Sequence, residues 1–324
     1  MTSKKQNSLI QYELISAEKE NYNRNYFQQN SNKSSFKKNQ LNQNKPFNEF
    51  NKQKLIQQEI WLPDYSNNFT RTVLEKLGDF IYDENDDFNQ DLQYLSPIQI
   101  EQNVYYIGQW KNNQRCGRGK QIWPDGSIYE GYWQNDMANG RGRLIHGDGD
   151  VYEGQWIDDK AHGDGIYIHR DGASYTGQWY KDKQHGLGIE RWIDGSSYQG
   201  MYYMGAKHGE GIFSWADGSQ YHGNFQNNDI EGIGQYRWSD NRIYMGDWKC
   251  NKMHGEGQFF WPDGRKYVGE YFEDKKQGYG EFYWPDGKVY KGYWFNGKQH
   301  GKGKYKNTND IEKEGVWYEG QKIS

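Results

Sequence analysis

The sequence predicts an all-β fold: an elongated, twisted, single-layer antiparallel sheet of about nine tandem β-hairpin repeats, preceded by a disordered N-terminal region. Three observations predict it. Tyr recurs every 23 residues, without a slip, from Tyr106 to Tyr290. Glycines and a second aromatic ring follow each Tyr at fixed offsets. The composition, with 40 Gly, 28 Tyr and 14 Trp but only 34% hydrophobic residues, leaves little material for a deep aliphatic core, so order must come from rings stacked over glycine backbone.

Residues 1–60 contain 20 Asn and Gln with scattered Ser and Lys. Such a segment cannot bury enough apolar surface to offset chain entropy, and it is expected to be a disordered head. A tethering arm is one use for it; compositional drift is the plainer reading and the one favoured.

Residues 61–103 form an acidic linker. Phe69, Val73, Leu74, Leu77, Phe80 and Ile81 fall at helical spacing and predict a short helix, expected to cover the first open edge of the sheet, since a bare edge invites aggregation. The acidic run from Asp83 to Asp91 resembles a calcium loop only superficially: Phe88 stands where the loop needs Gly, and Tyr94 where it needs Glu.

Residues 104–324 carry the repeat. The ladder tyrosines are Tyr106, Tyr129, Tyr152, Tyr175, Tyr198, Tyr221, Tyr244, Tyr267 and Tyr290. Gly follows two residues later. Four residues after each Tyr stands a second ring: Trp110, Trp133, Trp156, Trp179, Tyr202, Phe225, Trp248, Tyr271 and Trp294. Because side chains alternate faces along a strand, Tyr, Gly and the second ring share one face. Gly-x-Gly then opens the return strand, whose later rings, such as Phe213 and Trp215, share that face too. A ring lying over a neighbouring glycine fixes register in such sheets.

Two turns close each unit. Asn, Asp or Gly stands seven residues after every Tyr, as a turn with positive φ requires. Asp-Gly makes the second turn, often behind Pro, as in Pro124-Asp125-Gly126. The result is a meander with an aromatic and glycine groove on one face and a polar opposite face. A truncated tenth unit keeps Gly315 and Trp317 but has Lys313 in place of Tyr, in the manner of a capping repeat.

At these residues the sequence resembles the MORN-repeat family, of scaffold type and without an attached kinase or methyltransferase. The units YEGQWIDDKAHGDGIYIHRDG and YTGQWYKDKQHGLGIERWIDG carry the likeness most closely, and it extends over residues 106–317. Cys116, Asn139, Glu231 and Gln277 depart from the family's His before Gly, and Asp240-Asn241 from its Asp-Gly. The resemblance implies scaffolding in cilia, membrane-associated cytoskeleton or division structures.

Convergent chemistry is not expected within the ladder. His162, His185, His208, His254 and His300 are equivalent, but equivalent residues lie two strands apart, about 9.6 Å, whereas zinc ligands converge within about 2.1 Å of one ion. They read as turn-stabilising imidazoles, and no metal or cofactor is expected. The repeated Asp fails as an acid/base pair for the same reason, and Gly-x-Gly lacks the strand-loop-helix context of a phosphate loop. Two cysteines, Cys116 and Cys250, are about six repeats apart, too far to bond.

The reading that follows is a non-catalytic scaffold that binds protein partners of a cytoskeletal or ciliary complex, with the ladder tyrosines and second rings named above as the partner-binding groove. The alternative is a peripheral, phosphoinositide-binding module or a regulatory subunit of a lipid-signalling enzyme. Lysines recur beside the first turn, but Asp159, Asp182 and Asp274 offset three of them, so only weak membrane association is expected. A nearly neutral array is not a nucleic-acid footprint. The tenth unit suggests a homodimer through the C-terminal repeats. Lacking an apolar h-region at the N-terminus and any long apolar run, the chain is expected in the cytoplasm, at the cytoskeleton or a cilium.

Overall fold

A computed structural model describes residues 62–83, 91–308 and 311–324. The expected disordered head, the acidic run at residues 84–90 and residues 309–310 lie outside the described residues. The chain divides into two units, Met1–Glu59 with Lys76–Gly78, and Ile60–Glu75 with Asp79–Ser324. Of the first, only Lys76–Gly78 is described, as the last turn of a helix and the residue after it. The second is the sheet and its N-terminal strap.

The sheet has 21 strands among the described residues. Each pairs antiparallel with the strands before and after it in the chain. It opens with β1 (Gln93–Glu101), β2 (Val104–Lys111), β3 (Gln114–Ile122), β4 (Ile128–Gln134) and β5 (Met137–Ile145), and closes with β20 (Glu312–Tyr318) and β21 (Gln321–Lys322). One repeat is one hairpin plus the turn to the next.

The first turn is held by left-handed residues, for example Asn112 at φ 50° and Asn113 at φ 62°. Such values suit Asn and Asp, whose short polar side chains tolerate that region. The second turn closes through Gly126 N–H to the Trp123 carbonyl at 3.0 Å, with Gly126 at φ 91°. Where the Asp-Gly signature fails, Asn241 takes φ 67° and donates the same bond to Trp238 at 2.9 Å, so the turn survives the departure.

The nine repeat hairpins from β2–β3 onward share one irregularity. Gly108 pairs Gly119, but the next pair is Trp110 with Arg115, so the return strand carries extra residues between them. A bulge of this kind bends its strand and increases the local twist. The first Gly of Gly-x-Gly lies in it at positive φ, as Gly117 does at 81°.

Two expectations are corrected at the N-terminal side. The helix exists, as α1 (Asn68–Leu77), but the first edge is covered by a strand, β1, which extends the sheet to Gln93, eleven residues before the expected start at 104. Pro97 within β1 interrupts the pairing, as suits an edge strand. The helix starts against the turns instead. Asn67 accepts from the N–H groups of Phe69 and Thr70 at 2.8 and 3.1 Å as an N-cap. Its amide donates to the carbonyls of Gly147 at 2.7 Å and Asp125 at 3.3 Å, in two successive Asp-Gly turns.

After the helix the strap crosses the face opposite the ladder. Phe80 is buried against Arg141 and Arg143, and Asp83 pairs with Arg141 at 2.5 Å. Tyr82 donates to the Gly119 carbonyl at 3.2 Å. Beneath lie Ile122, Ile128, Tyr132 and Ile145, all buried, around Glu130, which Arg143 and Lys120 meet at 2.8 and 3.0 Å. Burial alone would raise the Glu130 carboxyl, but these two cations outweigh it and hold it below its usual range. The opposite face is therefore not simply polar. Beyond the strap it also exposes Tyr203, Ile233, Phe272 and Phe295.

Candidate partner-binding surface

The ladder is built unit by unit from Tyr over Gly. The Tyr106 ring covers Gly119 so closely that a Cβ there would stand 2.1 Å from its hydroxyl oxygen. That hydroxyl donates to the Gln109 carbonyl at 3.0 Å, and Tyr129, Tyr152, Tyr175 and the later tyrosines repeat the bond three residues on. Each Tyr meets two second rings edge-on. Tyr106 lies 5.2 Å from Trp110 and 5.3 Å from Trp133, at 90° and 84°. The alternation runs unbroken to Tyr290 and Trp317. Trp133, Trp156, Trp179, Trp248 and Trp294 also donate their indole N–H to a glycine carbonyl of the preceding unit, at 3.1–3.3 Å. Trp110 has no such unit before it, and its Nε1 is buried without a partner among the described residues.

This geometry corrects the expected groove. Tyr106, Tyr198, Tyr221, Tyr244, Tyr267 and Tyr290 are 0% exposed, and Trp133, Trp156, Tyr202, Phe225, Trp248, Tyr271 and Trp294 are buried as well. Among the eighteen residues expected to line a groove, only Trp110 and Trp179 are half-buried. The rest are the core. The edge-on interlock leaves them little surface for a partner to meet. Burial likewise drives the phenol pKa of the ladder tyrosines well above the usual value.

What a partner can reach is a second aromatic row, on the return strands near the Asp-Gly turns. It runs Trp192, Phe213, Trp215, Tyr236, Trp238, Phe259, Trp261, Phe282, Trp284 and Tyr305. Successive centroids are 4.3–6.3 Å apart. Most of these rings are half-buried. Arg242 and Arg265 lie over Trp238 and Trp261 at 5.3 Å.

Between ladder and row, nine residues after each Tyr, is a slot. Ala138, Ala161, Ile230 and Met253 fill it in some units, but Arg115, Lys207 and Lys276 fill it in others. Arg115 stacks 4.3 Å from the Trp133 ring and bonds Asp136 and Gln121. Lys207 sits over Trp192 and Tyr198 at 4.9 and 5.2 Å and reaches Glu190 at 3.2 Å. Lys276 is boxed by Trp261, Tyr267, Phe282 and Trp294 at 5.0–5.2 Å, and burial with the nearby charge of Arg265 pulls its amine down to about 8. The sequence held this pattern at one offset, but a lone Lys among rings does not reveal itself until the bulge is known.

The turn residues have a role that offset counting missed. Asp136, Asp159, Asp182, Asn228, Asn251 and Asp274 each accept, through Oδ1, the N–H of the slot residue one unit earlier, at 2.6–2.9 Å. The turns are thus stitched across repeats. His185 does the same in the other direction, accepting the Met204 N–H at 3.4 Å, and its ring lies between Tyr180 and Tyr203. Among the described residues no three His, Cys, Asp or Glu side chains cluster so as to hold a metal ion. Cys116 and Cys250 are free thiols.

The MORN repeat model matches the chain in nine consecutive stretches, from residues 106–128 to residues 290–310. No curated protein sequence matches it. Solved structures with some likeness include the TCP10 domain of Danio rerio CPAP, at 13% identity over 63% of this chain and 97% of that one, with a TM-score of 0.36. Another is the SAS-4 (dCPAP) TCP domain of Drosophila melanogaster in complex with a proline-rich motif of Ana2, at 15% identity over 48% of this chain and 84% of that one, with a TM-score of 0.31.

Proposed function

The chain belongs to the MORN-repeat family, and from that premise we propose that it is a non-catalytic scaffold that docks a protein partner along the half-buried aromatic row from Trp192 to Tyr305. Repeats of this family make protein-binding or membrane-binding modules. The observation that carries the protein reading is the row itself: rings at stacking distance, half-buried and continuous from the fourth unit to the ninth, as an extended or helical partner requires. The same proposal sets the protein in a cytoplasmic assembly of the cytoskeleton, ciliary or cortical, in keeping with what the family resemblance implies.

The test uses the tagged full-length protein in its own cell. Replacing Trp215 and Trp238 with Ala is expected to release it from its assembly while the melting profile stays cooperative. Retention of both variants at the assembly overturns the docking row. The membrane reading is tested by flotation with phosphoinositide vesicles. Two first-turn lysines, Lys252 and Lys298, already face Glu273 and Glu319 at 3.7 and 3.6 Å, which favours no flotation. Salt-sensitive flotation would replace the protein reading with the lipid one. A homodimer through the C-terminal repeats predicts a concentration-dependent mass in sedimentation, and a constant monomer removes it.

A further inference from the structure

The aromatic row begins at Trp192. The fourth unit places Glu190 where the following five units have Phe or Tyr, so no ring of the row stands between His169 of the third unit and Trp192. The slot beside it holds Gln184, neither a cation nor an aliphatic plug. A cavity of about 540 Å³ results, walled by Tyr167, Trp179, Tyr175 and Trp192, with Gln184 and Glu190 inside.

Its lining shares the ladder ring, here Tyr175, with the boxes in which this chain seats its own cations, and differs where His169 and Glu190 stand in place of the rings that Trp261 and Phe282 supply around Lys276. The slot position that Gln184 holds is Arg115 in the first unit, Lys207 in the fifth and Lys276 in the eighth, each set against rings. Glu190 takes the hydroxyl of Tyr202 and the ammonium of Lys207 both on Oε2, at 2.8 and 3.2 Å, which leaves Oε1 as an acceptor. Asp171 and Asp182 also line the cavity, against Lys183 and Arg191. The volume is well beyond an ammonium and suits a planar group, as the Arg115 guanidinium stacked on Trp133 illustrates.

We propose that this cavity receives an arginine side chain of the docked partner, stacked between the rings of the third and fourth units and hydrogen-bonded to Glu190. The proposal rests on the protein-docking reading and adds a position and a chemistry to it. The row supplies apolar contact, and the cavity fixes the register of the partner along it by one charged anchor.

The test titrates the full-length protein with an acetylated, amidated pentapeptide bearing a central arginine, and with its citrulline counterpart of equal shape and no charge, following tryptophan fluorescence at low salt. At least a tenfold preference for arginine is expected. Gln184→Lys, which fills the slot as Lys207 and Lys276 do, is expected to abolish that preference with a melting temperature close to that of the parent. Should that variant fold poorly, Gln184→Arg, after Arg115, serves the same purpose. Equal binding of the two peptides, no binding of either, or a preference that survives the plug overturns the proposal. If the plug leaves recruitment to the assembly intact while Trp215 and Trp238 replacements abolish it, the cavity fails and the docking row stands.

Discussion

At Gly211, the second glycine of its Gly-x-Gly, an added methyl would stand 2.5 Å from the Tyr198 hydroxyl oxygen and 2.6 Å from its ring. Gly211→Ala is therefore expected to destabilise the array by about 3 kcal/mol in urea unfolding, since a buried, interlocked ring cannot yield. Gly172→Ala makes the contrast. It meets nothing within 4 Å but sits at φ 101°, and backbone strain alone should cost about 1 kcal/mol. A smaller loss at Gly211 than at Gly172 would refute the ring-over-glycine account. Lys276 gives a pH signature. Below about pH 8 the folded and unfolded chains both carry its proton and the folded one bears the desolvation; between about 8 and the ordinary lysine value only the unfolded chain keeps it, so this contribution to stability recovers as pH rises. Lys276→Met should stabilise the protein by on the order of 2 kcal/mol at pH 7, with the gain shrinking towards pH 10. The buried phenols act the opposite way. Their pKa is raised by folding, so stability falls once unfolded tyrosines ionise above about pH 10. Parent and variant share that loss, and the difference between their melting curves isolates the lysine.

The hairpin is the element most legible in the sequence, because its causes are local. Asn112-Asn113 and Pro124-Asp125-Gly126 announce their turns by residue type, and the alternation of Tyr106, Gly108 and Trp110 announces a shared face. Burial of those rings was not legible. It depends on the edge-on interlock, which shows in the sequence only as a spacing of rings and not as a contact. The strap was legible as a helix and not in its destination, since Asn67 reaches Gly147 and Asp83 reaches Arg141 across 80 and 58 residues. The stitch between turns could have been suspected from the regularity of Asn and Asp at one offset. Asp159→Ala should leave the Ala138 N–H without its acceptor and cost about 1–2 kcal/mol. Asp159→Asn keeps a carbonyl oxygen in place and should recover most of the loss; if it does not, charge rather than the hydrogen bond holds the repeats together there.

Across the whole array, each strand pairs only with its sequence neighbours, and like units present like interfaces. Stability should then be close to a sum of unit and nearest-neighbour contributions. Removing residues 198–220, one full period, joins Ser197 to Tyr221 in the same register and should leave a cooperatively melting protein only slightly less stable. Removing half a period should not, because ladder tyrosines would then meet the wrong offsets. Similar melting of the two deletions would show that the ladder does not set the register.

The consecutive strand order has a mechanical meaning. Tension between the two ends of the array loads the interstrand hydrogen bonds one rung at a time, as a zipper, rather than all together in shear. Each unit that opens releases a 23-residue length, which spans roughly 75 Å when extended, in place of two strand spacings of about 4.8 Å each. Between two anchored structures the array is an extensible link that lengthens in equal steps at modest force, and its aromatic ladder supplies the resistance to each step.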